Sequence, residues 1–405
     1  GLGDVYKRQE VVNDSILTRK KRHLHEEIDN AIEALYADRI EEQYELLAHH
    51  FALAEDWEKA VHFGRLAAEK AHKFGQLQQA VTLYEQTREW LLKLPENKVR
   101  QESLADIQLG ICWGNLNLGQ FEKVEEVGLQ AESAAKMLGD RVRLGMIYLV
   151  IGTAYVYRGN FKKSEHYDLQ AIKYLEGTGQ EVGLATANFI LGGCYIGQGL
   201  WRKSEPHISK AVRAYEKVDK KTEYAIGWNM LGYALGCAQL GYNLGVMGRV
   251  AKAKGLFEKG YTPELEQKSD LTTMMPYCSW QGLFISLIGE DHFGAASRMD
   301  QMEELAERSD SPFMILVFSL AKANILLGME DFGPALSTCQ KALKAIEGKG
   351  IRTGHVVNLY YDLVRVGLES GEQESAKQHY EEGRLLVEMA PHWWEPRFDF
   401  LQGLL

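Results

Sequence analysis

The stretch Glu41–Lys70 runs EEQYELLAHHFALAEDWEKAVHFGRLAAEK. Apolar residues recur at helical spacing as far as Ala54, the acidic pair Glu55-Asp56 marks a tight turn, and Trp57 opens a second helix. The small residues Ala48, Ala60 and Ala67 fall where the two helices of a hairpin must approach closely. That is the unit of a helical-repeat solenoid, and the rest of the chain restates it.

On the N-terminal side, Lys20–Tyr36 carries Leu24, Ile28, Ile32 and Leu35 on one helical face. Gly1–Gln9 (GLGDVYKRQ) has no helical period, and Asp4–Gln9 resembles a translation of the transposase end sequence used in DNA library preparation. Residues 1–18 are therefore set aside as a scar and a disordered lead, and the chain is expected to be a fragment. On the C-terminal side, Trp57–Lys73 and Gln76–Leu92 are expected helices, with Pro95 closing the unit.

Three turns then follow at 40-residue steps: Gly119-Gln120-Phe121, Gly159-Asn160-Phe161 and Gly199-Leu200-Trp201. Gly152 and Tyr155 precede the second as Gly192 and Tyr195 precede the third, and Ser164/Ala171 match Ser204/Ala211. A glycine in the left-handed conformation ends one helix. The aromatic behind it fills the gap between helices, and the small residues let the backbones close. Leu240-Gly241, Leu244, Gly248 and Ala253 repeat the frame loosely before a break at Thr262-Pro263. Gly289–Gly294 and Gly328–Gly333 share a variant turn, with Ala296 and Ala335 expected as the matching small residues. A last hairpin turns at Gly371, and a helix spans Trp393–Leu405. The fold class is all-α: an α-solenoid of about nine tetratricopeptide-like hairpins, near 40 residues each, in a right-handed superhelix. Its expected divisions are 19–95 (a joint helix and the first hairpins), 96–260 (regular repeats) and 261–405 (further repeats).

Composition agrees. With 46 basic against 56 acidic residues the net charge is -10, which does not attract nucleic acid. Only eight prolines interrupt 405 residues, as long helices demand. The five cysteines are dispersed, with no CxxC pair, and point to reduced buried thiols in a cytoplasmic protein. No apolar run is long enough to span a bilayer.

No motif carries chemistry. GxxxxGK[ST] is absent, and Gly177-Thr178-Gly179 with Gly183 follows no strand, so it is a helix connector. His49 and His50 diverge by about 100° on a helix and have no metal-ligand companions. The carboxylates at Glu41-Glu42, Glu303-Glu304 and Glu381-Glu382 read as solvated faces. No catalytic residue, cofactor or metal is expected.

The remaining candidate site is the concave groove lined by the inner faces of the first helices. Met146, Leu149, Thr153 and Val156 come from one unit, Thr186, Phe189, Gly193 and Ile196 from the next, and Leu235, Ala238 and Tyr242 continue the strip. The strip is apolar and small, unlike the basic face with which tetratricopeptide clamps hold a carboxylate. It is either open to an apolar protein or peptide segment, including one from the same protein, or covered by the helices themselves.

Three stretches resemble the C-terminal repeat region of bacterial signalling ATPases, many of which begin with an adenylate or guanylate cyclase domain. They are Arg19–Ala60 (with Leu46–Phe51 and Trp57–Ala60), the helix from Ser311-Pro312-Phe313 to Leu327, and Trp393-Trp394-Glu395-Pro396 through Leu405. The resemblance implies a non-catalytic sensor or scaffold arm whose partner is an upstream ATPase or cyclase module. Its alternatives are a free-standing protein-binding adaptor and the sensor arm of an ATP-dependent transcription activator.

Overall fold

The computed structural model describes residues 37–218, 231–261, 271–307, 311–389 and 391–405. The N-terminal lead, the basic helix expected over Lys20–Tyr36 and the break at Thr262-Pro263 lie outside the described residues. Among the described residues every regular element is helical: α1 Tyr44–Leu53, α2 Trp57–Lys73, α3 Leu77–Leu91, α4 Lys98–Asn117, α5 Phe121–Leu138, α6 Arg141–Tyr157, α7 Phe161–Leu175, α8 Glu181–Gly197 and α9 Trp201–Lys217. They continue as α10 Gly232–Val246, α11 Val250–Gly260, α12 Leu271–Ile288, α13 His292–Glu307, α14 Pro312–Gly328, α15 Phe332–Ile346, α16 Gly354–Glu369, α17 Gln373–Arg384 and α18 Pro391–Gln402. The chain thus folds as an all-α array of tetratricopeptide-like hairpins. None of the described helices is long and apolar enough to cross a membrane.

Two compact units divide the chain. One holds the described residues up to Gly114 together with Ser133–Leu138, and the other holds Asn115–Glu132 and Gly139–Leu405. In the first, Asp56 caps α2 by accepting from Lys59 N at 3.2 Å, while Glu55 takes the left-handed turn conformation at φ 59°. Ala48, Ala60 and Ala67 are buried, and Phe51 stacks on Phe63 with ring centroids 5.5 Å apart. Residues 37–43 form a 3-10 turn, so α1 starts three residues later than the periodicity from Glu41 predicts. All five cysteines are buried, and none of them forms a disulfide among the described residues.

In the second unit the frame is visible atom by atom. Gly159 and Gly199 have φ 70° and 72°. A Cβ on Gly152 would lie 2.1 Å from Asp168 Oδ1, and one on Gly192 would lie 2.3 Å from Ile208 Cγ1. No side chain fits there, because the second helix of each hairpin crosses at that point. Ser204 Oγ donates to Gly192 O at 2.8 Å, and Ser164 Oγ donates to Asp168 Oδ2 at 2.9 Å.

The variant turns follow a different register from the glycine alignment. In the second of them the left-handed residue is Glu330 (φ 60°), not Gly328. Gly328 is required for another reason: a Cβ would lie 2.2 Å from His292 Nε2. The two helices start at His292 and Phe332, so Asp291 corresponds to Asp331 and the buried alanine is Ala295, not Ala296. Ala295 N donates to Asp291 O as Ala335 N donates to Asp331 O. Proline is also better tolerated than its scarcity suggests. Pro206, Pro276 and Pro396 lie inside α9, α12 and α18. Each is the sixth helical residue, so only a first-turn carbonyl loses its partner. Glu303 keeps its side chain partly exposed, as a solvated face requires, and also holds the Lys322 ammonium at 2.8 Å.

Candidate functional site

The frame tyrosines build a clasp that repeats along the array. Tyr155 donates to Glu125 Oε1 at 2.5 Å and Tyr195 donates to Glu165 Oε1 at 2.7 Å, each reaching the preceding hairpin. Lys163 stands over the Tyr155 ring at 4.7 Å and Lys203 over the Tyr195 ring at 5.6 Å. The Tyr155 hydrogen bond holds the Glu125 carboxyl below the usual range, with Lys163 and Arg158 assisting. Each clasp ties a first helix to the second helix of the preceding hairpin, and the C-terminal halves of the first helices α6 and α8 border a common space.

That space is a cavity within the second unit. Its volume is about 150 Å³, larger than a packing void. Of the strip residues, Thr153, Val156, Phe189, Gly193, Ile196, Leu235 and Tyr242 line it. Met146, Leu149, Thr186 and Ala238 do not: all four are buried in the helix layers, and Thr186 Oγ1 lies 2.7 Å from the Tyr215 hydroxyl. The cavity sits at the C-terminal halves of α6 and α8, which leaves Met146, Leu149 and Thr186 beneath packed neighbours. On α10 the cavity-lining residues are Leu235, Gln239 and Tyr242, so Gln239 takes the place expected for Ala238.

The far wall comes from the C-terminal hairpins, none of whose residues belongs to the apolar strip expected from the repeat. Trp201, Tyr242, Trp280, His355, Phe313 and Tyr157 form a chain of ring contacts, with centroids at 6.1, 5.2, 5.3, 5.9 and 4.2 Å in turn. The Arg352 N–H donates to Tyr157 O at 2.7 Å, and a Cβ on Gly354 would lie only 3.3 Å from Gly197 O. The loop before α16 is therefore fastened to the ends of α6 and α8. Nearest-neighbour stacking of repeats gave no reason to pair residues so distant in sequence.

No Asp, Glu, Lys or Arg lines the cavity among the described residues. His355 faces the space but is surrounded by protein, and burial lowers its pKa to about 4, so its imidazole is neutral. Burial likewise raises the Tyr242 hydroxyl to about 12. Beneath the wall lies Asp362, whose Oδ2 accepts from Asn324 Nδ2 at 2.5 Å and from the lining residue Asn358 at 2.7 Å. Burial raises its pKa to about 7, against the lowering effects of Arg365 and the two amides. Two cavity-lining side chains, Gln239 and Thr353, are 5% and 4% exposed. Gln239 Oε1 and Thr353 Oγ1 have no hydrogen-bond partner among the described residues.

Elsewhere, no three His, Cys, Asp or Glu side chains among the described residues gather as a metal site. His49 is exposed, its ring edge-on to His50 at 6.1 Å. Gly177-Thr178-Gly179 connects α7 to α8 with both glycines left-handed.

At the sequence level the chain matches no protein family and no curated protein. Its fold is similar to that of several solved structures. A Rap protein complexed with competence and sporulation factor matches with TM-score 0.59 at 15% identity, covering 85% of this chain and 94% of that one. The Rap conjugation gene regulator of plasmid pLS20, in complex with a Phr peptide, matches with TM-score 0.57 at 14% identity, over 74% and 76% of the two chains. Aspartyl phosphate phosphatase F from Bacillus subtilis matches with TM-score 0.55 at 14% identity, over 79% and 80%. These likenesses show the helical-repeat fold.

Proposed function

We propose that this chain is a non-catalytic sensor and scaffold arm, and that it receives a protein segment or ligand in the aromatic-walled cavity. The observation that carries the reading is the convergence of two distant sets of hairpins on one apolar space. Filling it changes how the loop before α16 rests on α6 and α8, and so links occupancy to the arrangement of the repeats. Two structures of similar fold are complexes with competence and sporulation factor and with a Phr peptide, which suits an interaction role for this one.

The parent system we propose is a bacterial signalling ATPase or nucleotide cyclase, on the strength of the sequence resemblance at Arg19–Ala60, Ser311–Leu327 and Trp393–Leu405. The arm would bias an upstream nucleotide switch. Two measurements test this. Purified residues 10–405 should show only background nucleotide hydrolysis and cyclase activity, and the upstream reading frame should encode a phosphate loop. Turnover by this chain, or a reading frame that joins it to a DNA-binding domain instead, overturns the assignment.

A further inference from the structure

The chemistry of the cavity wall narrows what can enter it. This step rests on the reading of the cavity as the receiving site and adds the class of its occupant. A charged molecule entering an apolar space gives up hydration that an opposite charge or several hydrogen bonds must replace. None of the side chains that line this cavity is charged among the described residues. Asp362 and Arg397 stand behind the wall, near enough to act on the Tyr242 hydroxyl, but neither lines the space.

Against that apolar background two polar atoms stand out. Gln239 Oε1 and Thr353 Oγ1 are buried without a partner among the described residues. They belong to opposite sides, Gln239 to α10 and Thr353 to the loop before α16. Gly193 gives the Gln239 amide its room: a Cβ there would lie 3.2 Å from Gln239 Nε2 and meet nothing else within 4 Å. A buried amide left unmatched costs about 1–3 kcal/mol, so a ligand that satisfies it gains affinity and specificity together. The fastened loop and the stacked Tyr157–Phe313 pair close one side, which favours a compact molecule over an extended chain.

We infer that the cavity binds an uncharged, largely apolar small molecule that carries a hydrogen-bond donor, with the donor meeting the Gln239 side chain and the apolar body lying against the Trp280–His355–Phe313 wall. The probe pair N-phenyl-1-naphthylamine and 8-anilinonaphthalene-1-sulfonate isolates charge, because the two share an aromatic body and an N–H and differ by a sulfonate. Titrations of the full chain follow probe emission and energy transfer from the tryptophans, among which Trp201, Trp280 and Trp394 line the cavity.

The neutral probe should bind one saturable site at least about ten-fold more tightly than the anionic one. Gln239→Leu should weaken the neutral probe by about ten-fold, the worth of one hydrogen bond. Gly193→Leu should fill the cavity and abolish binding, with far-UV circular dichroism and Tm confirming that it folds. Equal binding of both probes overturns the uncharged class but leaves the receiving cavity standing. Binding that survives a folded Gly193→Leu places the site elsewhere and overturns both. If neither probe binds and tetraleucine alone raises Tm, the cavity takes peptide and the small-molecule assignment falls.

Discussion

At the scale of single residues, the frame glycines and the buried carboxylate under the cavity make the sharpest demands. A methyl group at Gly152 meets a buried carboxylate oxygen, so Gly152→Ala should destabilise by about 2–3 kcal/mol in urea unfolding, the cost of overpacking a core that cannot yield. Asp362 makes a pH prediction. Its folded pKa, about 7, stands above the unfolded carboxylate value near 4, so the folded state holds the proton more tightly. Its contribution is therefore fully present below about pH 4 and is lost as pH rises toward about 7, after which it stays constant. Asn324, Asn358, Arg365, Cys339 and Tyr242 are the groups near it. Asp362→Asn should remove that slope, leaving a difference from wild type of up to about 4 kcal/mol between pH 4 and pH 7 in denaturant titrations. An identical slope in both proteins would show that the carboxyl titrates normally. Gly152 was legible in the sequence because glycine and tyrosine recur together at 40 residues. Asp362 was not, since nothing local distinguishes a buried aspartate on an amphipathic helix from a solvated one.

At the scale of elements, turns and clasps decide register. The left-handed φ of 60° at Glu330 is unfavourable for a side chain and natural for glycine. Glu330→Gly should therefore raise Tm, by the equivalent of about 0.5–1 kcal/mol. The clasp between Tyr195 and Glu165 is a charge-assisted hydrogen bond at a half-buried site. Tyr195→Phe should cost about 1–2 kcal/mol, measured as a shift in the urea midpoint at constant slope. Two helices are legible almost to the residue: Trp57–Lys73 is found as expected, and Gln76–Leu92 shrinks by one at each end, whereas α1 starts three residues late and the last helix runs Pro391–Gln402 instead of Trp393–Leu405. Glycine does not fix the register of the variant turns: Asp291 and Asp331 immediately precede the helix starts, and in the second turn Glu330 supplies the left-handed step. The clasps were missed because each joins residues thirty apart, and that separation coincides with no helical period.

At the scale of the molecule, the array of hairpins and its apolar strip follow from the repeat, and seven of the eleven strip residues meet around one space. What the repeat could not supply is the opposite wall. Contacts such as Arg352 to Tyr157 depend on summed small rotations between hairpins, which no local pattern encodes. The central claim is that this interior space, and no outer face, is where the chain receives its partner. Amide hydrogen exchange with and without saturating N-phenyl-1-naphthylamine tests it most directly. Protection should appear at the C-terminal ends of α6 and α8, along α10, and at residues 351–358. Protection confined to outer helix faces, or none at these segments when the probe is bound, would contradict it.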